Sequence, residues 1–289
     1  MESIFDPQIL ADDLCEVHRI YANFFSTLKT EDWEKPVKPG SKEWTLHETI
    51  AHLCALTGAG LESIQYTLRG EKYTFDGLTD RYHFVAYNRR GIDGQLPLSM
   101  KELCAEFLNI LDQTAFIART MRPDQYELAS EMPIYNRPVK IVEAMSIMMF
   151  HAALHHSAQV AEPAGVAPLW QQLSPEIRHR VIGRVMRALS LLYRYDLGGD
   201  LRAVITFEME GPGGGNWHVD VSPEATSSAE GIADHPNLVI HLRKTDGFCQ
   251  MFTGRFNFPI ALLTGQMKLR GNLRLFPRIG SLFSVDARP

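Results

Sequence analysis

The sequence predicts two domains of different fold class, a four-helix bundle followed by an α+β domain. Apolar residues recur with helical period in the first half and alternate as in β-strands in the second half. A proline- and glycine-containing stretch, EPAGVAP at 162–168, separates the two patterns. A chain of 289 residues also lies near the upper limit for a single hydrophobic core. We predict a bundle over 1–161, a linker over 162–173 and an α+β domain over 174–289.

Four long helices are predicted in the first half. The first follows Asp6, a suitable N-cap, and has Pro7 at its first helical position. The second and third each begin with a capping box, in which two side chains and two backbone amides pair reciprocally. The fourth is predicted over 139–161, and connections of varied length indicate a bundle. The two capping boxes are Thr45 with Glu48, and Ser99 with Glu102.

The second half begins with one more helix and continues as a sheet. Ser174 and Pro175 are suited to the cap and first position of that helix. Four alternating segments predict strands, and GPGGG between the first two predicts a tight reversal. Two short helices are predicted between the third and fourth strands, and the sheet is expected to be antiparallel. The four segments are LRAVITFEME, NWHVDVS, NLVIHLRK and MKLRG.

Composition and charge argue against several classes of protein. The net charge of −5 and the pI of about 6.1 offer no basic face for nucleic acid. No apolar run approaches the roughly 18 residues of a membrane span, and the N-terminus lacks the pattern of a secretory signal. The cysteines are far apart and form no CxxC motif, which indicates reduced thiols, so we expect a cytoplasmic protein. They are Cys15, Cys54, Cys104 and Cys249.

The fourth helix carries three histidines in the apolar stretch MMFHAALHHSAQV. His151 and His155 are four residues apart, which places both rings on one helical face at a spacing suited to a divalent metal. The second helix offers His47 and His52, which face different directions, so only one of them can join the site. His52 lies deeper in its helix. We therefore predict His52, His151 and His155 as metal ligands.

His156 is the alternative to His155 and remains open at this point. It is rotated by about 100° from His155 on an α-helix, and its companion position is Ala152 rather than a histidine. Imidazole ligands suit zinc, which we expect here, and also nickel or iron. Three neutral ligands leave a position for water or substrate, as in catalytic sites.

Short motifs in each half resemble known families. WTLHETIAHL and HAALHHSAQ resemble the DinB-like metal-binding bundles. VITFEME, HPNLVIHL and LLTGQMKLRGNL resemble the sterol carrier protein type of domain. The order of the two is similar to the family of mycothiol-dependent maleylpyruvate isomerase, which carries a glutamate and a histidine where this chain has His151 and His155. The resemblance implies that one histidine of the second helix and two of the last bind a divalent metal.

The resemblance also implies a chemistry. A low-molecular-weight thiol, such as mycothiol, bacillithiol or glutathione, would serve as cosubstrate for isomerase or S-transferase chemistry on a small electrophile. An anionic substrate needs a cation near the metal, and several arginines are candidates for that role. They are Arg89, Arg90, Arg202, Arg243 and Arg255.

A non-enzymatic lipid-binding protein is the competing hypothesis. In that case the metal site would be structural, and apolar side chains of the second domain would line a pocket for an acyl chain. Exposed faces of the bundle would also allow a homodimer. The candidate lining residues are Phe248, Met251, Phe252, Phe256, Phe258, Leu262 and Leu263.

Overall fold

A computed structural model describes residues 2–38 and 44–284 of the chain, which divide into two compact units. The first, here called the helical unit, consists of Glu2–Pro133 and Pro138–Leu173. The second, here called the sheet unit, consists of the chain from Ser174 onward together with the short segment Ile134–Arg137. The helix-rich first half and the sheet of the second half together confirm an α+β fold.

The predicted linker, 162–173, lies within the helical unit. Leu169 and Trp170 of this segment are buried, so it packs against the rest of that unit as part of its core.

The helical unit is built from long helices and one short strand pair. α1 packs against α4 and α5, and α2 packs against α3, α4 and α5. The four-helix bundle of the DinB type stays a prediction. The elements are α1 (Pro7–Thr27), α2 (Leu46–Leu68), α3 (Phe84–Gln95), α4 (Met100–Thr120), β1 (Ala129–Ser130), β2 (Val139–Lys140), α5 (Ile141–Phe150), a π-helix (His151–His155) and α6 (Ser157–Ala161).

The helix starts follow the predicted capping chemistry. The Asp6 carboxylate accepts backbone N–H groups of the first turn of α1. At α2 the Thr45 amide donates to Glu48 at 3.0 Å, and the Glu48 amide donates back to the Thr45 hydroxyl at 3.2 Å. Ser99 and Glu102 form the same reciprocal pair at α4. These caps satisfy amides that have no partner inside the helix.

Two features of the helical unit differ from the predictions. The predicted fourth helix starts at Ile141, because residues 139–140 pair with β1, and it is interrupted by the π-helix. α3 was not predicted. Its buried residues are Phe84 and Ile92 alone, so it has no continuous apolar stripe from which a helix could be recognised.

The sheet unit contains a five-stranded sheet in the order β5-β4-β3-β6-β7. α7 packs against β4 and β5. The elements are α7 (Pro175–Leu192), α8 (Tyr195–Gly198), β3 (Ala203–Met209), β4 (Gly215–Val221), β5 (Thr226–Glu230), β6 (Leu238–Leu242), α9 (Thr245–Phe252), α10 (Phe258–Leu263), β7 (Met267–Gly271) and α11 (Ile279–Leu282).

The four predicted strands and the two short helices between the last two strands are present. Met209 pairs with Gly215 across the GPGGG reversal, where Gly211 and Gly213 adopt φ of 88° and 77°. Such angles favour glycine because a side chain at positive φ is strained. The alternation places Phe207 in the core, with its ring edge-on to another buried phenylalanine of the sheet unit at 6.0 Å.

The expectation of an antiparallel sheet is wrong at one pair of strands. β3 and β6 run parallel, with Ile205 opposite Leu238, because the chain reaches the free edge of β3 only after completing β4 and β5. β5 was also missed. Its sequence, TSSAE, has no apolar alternation, and it pairs with β4 along its whole length.

Two of the candidate lipid-lining residues do not line an interior. Phe248 is buried, but Leu262 and Leu263 are 45% and 88% exposed on α10. The short helix is held by its buried Ala261, so the two leucines point outward. Among the described helices, none is both long and apolar enough to cross a membrane.

Candidate metal centre

Three histidine side chains of the helical unit converge on one point. His52 comes from the middle of α2, His151 opens the π-helix, and His156 directly follows it. Nε2 of His151 lies 3.3 Å from Nε2 of His52 and 3.0 Å from Nε2 of His156. One ring nitrogen from each residue lies within 4.8 Å of the other two.

The π-helix explains why His156 joins this cluster instead of the predicted His155. The amide of His156 donates to the carbonyl of His151 at 3.0 Å, five residues back. This i→i+5 bond replaces the i→i+4 bond of an α-helix and brings residues five apart onto one face. His155 stacks beside His151, with ring centroids 5.7 Å apart, and is outside the group of three. The structure therefore groups His156, rather than the predicted His155, with His52 and His151.

His47 does not join the cluster either. Its ring packs edge-on against Trp33 at 5.7 Å. His47 is half-buried, and its Nε2 has no hydrogen-bond partner in the described part of the chain, so it lies beside Trp33 and outside the cluster.

The cluster is largely buried, and a neighbouring side chain sets the tautomer of His156. His52 and His156 are each only 3% exposed, and His151 is half-buried. Nδ1 of His156 hydrogen-bonds the side-chain oxygen of Gln159. An amide oxygen only accepts, so Nδ1 carries the proton and Nε2 is left facing the cluster. Partners of this kind commonly fix the orientation and tautomer of metal-binding histidines.

Burial keeps two of the rings uncharged. Burial lowers the pKa of His52 well below its ordinary value, and the neighbouring His156 and His155 lower it further. Burial likewise lowers the pKa of His151, with His52 and His155 adding to the effect. Desolvation disfavours the imidazolium, so both rings are neutral near pH 7 and available as ligands.

The nitrogen spacing fits a divalent cation. Zinc–nitrogen bonds of 2.0–2.1 Å in tetrahedral geometry separate two ligand nitrogens by about 3.3 Å. The two short separations in the cluster, 3.3 and 3.0 Å, are close to that value. A neutral His151 has at most one proton at Nε2, so it can satisfy only one of its two neighbours by hydrogen bonding. A cation held by all three nitrogens satisfies the whole set.

Arg89 and Arg90 lie on α3 and differ in their contacts. Nη1 of Arg89 donates to Glu48 at 2.7 Å, and its other nitrogens bind Asp93. Glu48 lies one helical turn before His52. Arg89 is therefore already paired with two carboxylates.

Arg90 borders a cavity of about 200 Å³ between α2 and α3. Its Nη2 donates to the carbonyls of Asp76 and Gly77 at 3.3 and 3.2 Å. Within residues 2–38 and 44–284 its other N–H groups form no hydrogen bond, so they are available to a ligand. Two of the lining residues, Ala55 and Leu56, lie one turn of α2 beyond His52. The remaining lining residues are Asp76, Tyr87, Asn88 and Gly91.

The other three arginine candidates belong to the sheet unit. Arg202 is exposed and forms an ion pair with Glu224. Arg243 is exposed, and Arg255 donates to the carbonyl of Thr253 at 3.2 Å. These contacts assign none of the three to the histidine cluster.

No family model matches the chain. It is 26% identical over 132 residues to hydroxysteroid dehydrogenase-like protein 2 of Homo sapiens, and 29% identical over 83 residues to the same protein of Mus musculus. The human match covers 44% of this chain and 32% of the relative, and the mouse match covers 29% and 17%. The chain thus spans about a third of the human relative's length.

A crystal structure of mycothiol-dependent maleylpyruvate isomerase superposes with a TM-score of 0.54. The superposition covers 87% of this chain and 89% of that enzyme, at 12% sequence identity. The similarity therefore extends through both halves of the chain. At such low identity it establishes a shared fold.

Proposed function

We propose that this protein is a divalent-metal-dependent enzyme that uses a low-molecular-weight thiol for isomerase or S-transferase chemistry on a small electrophile. The convergence of Nε2 atoms from His52, His151 and His156 carries the proposal. The fold shared with a thiol-dependent isomerase, and the DinB-like motifs of the helical unit, support the reaction class. Zinc is the metal that fits first, with nickel or iron as alternatives.

The three histidines would hold the metal, and other residues would hold the histidines. Gln159 fixes the tautomer of His156, and the Trp44 ring packs against His52 with centroids 4.8 Å apart. When bound, a divalent ion with an open position lowers the pKa of a coordinated water or thiol, which makes a nucleophilic thiolate available at neutral pH. A protein ligand set of neutral imidazoles leaves the ion's full positive charge available for this effect.

The cavity bordered by Arg90 would bind the acidic group of the substrate or of the thiol. A guanidinium with unused N–H groups binds a carboxylate in two parallel hydrogen bonds. Arg89 is less suited to this role, because Glu48 and Asp93 already occupy its donors. We therefore favour Arg90 over Arg89 as the anion anchor.

The lipid-binding hypothesis ranks below the enzyme hypothesis. It would make the histidine cluster a structural metal site, whereas three protein ligands leave a position on the metal for water or substrate, as in catalytic sites. A reducing, cytoplasmic setting fits the thiol chemistry, because Cys15, Cys54, Cys104 and Cys249 are all free thiols.

The test begins with the metal content of tag-free protein by plasma mass spectrometry. We expect about one metal ion per chain, and loss of it in His151→Ala. His18→Ala is the matched control, because His18 lies on α1 outside the cluster. Consumption of small unsaturated acids is then followed with mycothiol, bacillithiol and glutathione in turn. Each assay is run on the protein as purified, after chelation and after metal is restored. Turnover that is insensitive to chelation, or absence of metal even after soaking, would contradict the proposal.

A further inference from the structure

The sheet unit exposes a group of aliphatic side chains on α10 and the 3-10 turn Leu273–Arg278, here called the α10 face. Leu263 is the most exposed of them, at 88%. α10 buries only Ala261, the reverse of a helix that packs its apolar side inward. The members of the α10 face are Ile260, Leu262, Leu263 and Leu273.

These side chains form one surface. Phe258, at the start of α10, contacts Phe276 of the 3-10 turn with ring centroids 5.4 Å apart. Residues three apart in a 3-10 helix are eclipsed, so Leu273 lies on the same side of the turn as Phe276. A contiguous exposed apolar surface of this kind marks an interaction site more often than scattered leucines do.

The chain around the α10 face is strongly basic. Residues 247–285 contain no aspartate or glutamate, although the whole chain has a net charge of −5. Lys268 and Arg270 alternate on one side of β7, and both are exposed. Five cations lie in this stretch: Arg255, Lys268, Arg270, Arg274 and Arg278.

Two of these cations are available to a partner. Arg270 already binds Glu208 at 2.8 Å. Lys268 and Arg274 are exposed, and within the described ranges neither side chain forms an ion pair. Lys268 and Arg274 lie within five residues of Leu263 and Leu273 in the chain, so the α10 face has nearby cations that no described carboxylate pairs with.

We propose that the α10 face docks on an anionic lipid surface. Leu263 and its neighbours would enter the interface between headgroups and acyl chains, while Lys268 and Arg274 contact lipid phosphates. Charge complementarity favours this partner over a second copy of the chain. A two-fold dimer would place the same basic surface against itself, with no acidic residue in 247–285 to compensate.

The experiment is co-sedimentation of the full chain with vesicles of phosphatidylcholine, alone or with phosphatidylglycerol. We expect binding to the anionic vesicles only, decreasing as salt is added. Lys268→Gln combined with Arg274→Gln should weaken partitioning about thirtyfold, because each cation near such a surface contributes about fivefold. Leu263→Asp should abolish binding. Ile232→Asp, at a site in the sheet unit that is 60% exposed, is the matched control and should bind as wild type does.

Several results would overturn this proposal. Absence of co-sedimentation at low ionic strength would do so, as would equal binding to both kinds of vesicle. Equal losses in Leu263→Asp and Ile232→Asp would show that the α10 face has no special role. A dimer, detected by light scattering and dissolved by Leu263→Asp, would assign the surface to a second copy of the chain. None of these results depends on metal content or thiol-dependent turnover.

Discussion

The sequence pattern predicts the structure well in the strands of the sheet unit and poorly in the histidine segment of the helical unit. In β4 the alternation of apolar residues matches the burial of the structure, because a strand points successive side chains to opposite faces. In β3 it does so at every position except Thr206, which is buried as well. At His151–His155 the helix changes from α to π, and the spacing that shares a face changes from four residues to five. The regular pattern is therefore reliable where it serves packing, and it fails at the candidate site.

The largest expected effect separates His156 from His155. His156→Ala should remove the metal, because it deletes one of the three converging nitrogens, while His155→Ala should keep about one ion per chain. The loss should exceed the 10–100-fold in affinity that is typical for an outer partner of a ligand. Metal titration of chelator-treated protein measures both variants.

The opposite result would contradict the assignment of His156, rather than His155, to the cluster. Metal loss in His155→Ala with retention in His156→Ala would mean that the metal-bound protein has an α-helical register here. Circular dichroism of both variants serves as the control for folding. His151→Ala should lose metal in either register, so it distinguishes a change of register from the absence of a site.

The limits of prediction at this site are physical. His151 was named from its four-residue spacing to His155, and His52 from its place deeper in the second helix. The structure brings His52 and His151 together. The doublet of His155 and His156 offers two registers, and no local rule selects the π turn, which depends on tertiary packing of the helix. Gln159 acquires its role only through that choice.

The same reasoning applies to the sheet. Alternation is a property of one strand, so β3, β4, β6 and β7 could be recognised separately. Pairing is a property of two strands, and the parallel contact between β3 and β6 depends on the path of the whole chain. β5 has no apolar face of its own, so its existence follows from the edge of β4.

The second largest effect tests the packing of the sheet unit, where the sequence pattern matches the structure. Trp217→Ala should lower the free energy of unfolding by about 3–5 kcal/mol, because it removes a large side chain that is 1% exposed in the sheet core. Ile232→Ala, at an exposed position, should change it by less than about 0.5 kcal/mol. Urea unfolding measures both, and the folded Trp217→Ala protein should still bind metal. A small loss of stability would mean that this core relaxes around the cavity.

The smallest effect concerns acid and the metal-free protein. The pKa values of His52 and His151 are lowered in the folded state by burial, whereas in the unfolded chain they return to about 6.5. Below that pH the unfolded chain takes up protons that the folded chain does not, so stability should fall as the pH falls. Each histidine contributes up to about 1.4 kcal/mol per pH unit until the pH reaches its folded-state pKa.

Urea unfolding of chelator-treated protein between neutral and mildly acid pH measures this loss. The double variant His52→Leu with His151→Leu removes the two groups that stay neutral in the folded state. Its free energy of unfolding should therefore fall less steeply as the pH falls. If the double variant lost stability with acid as steeply as the wild type, the acid sensitivity would arise elsewhere in the chain. A smaller loss of stability with acid in the double variant would show that burying the two neutral imidazoles costs free energy in the metal-free protein. A bound cation would then offset this cost, because it binds the ring nitrogens that stay unprotonated in the folded protein.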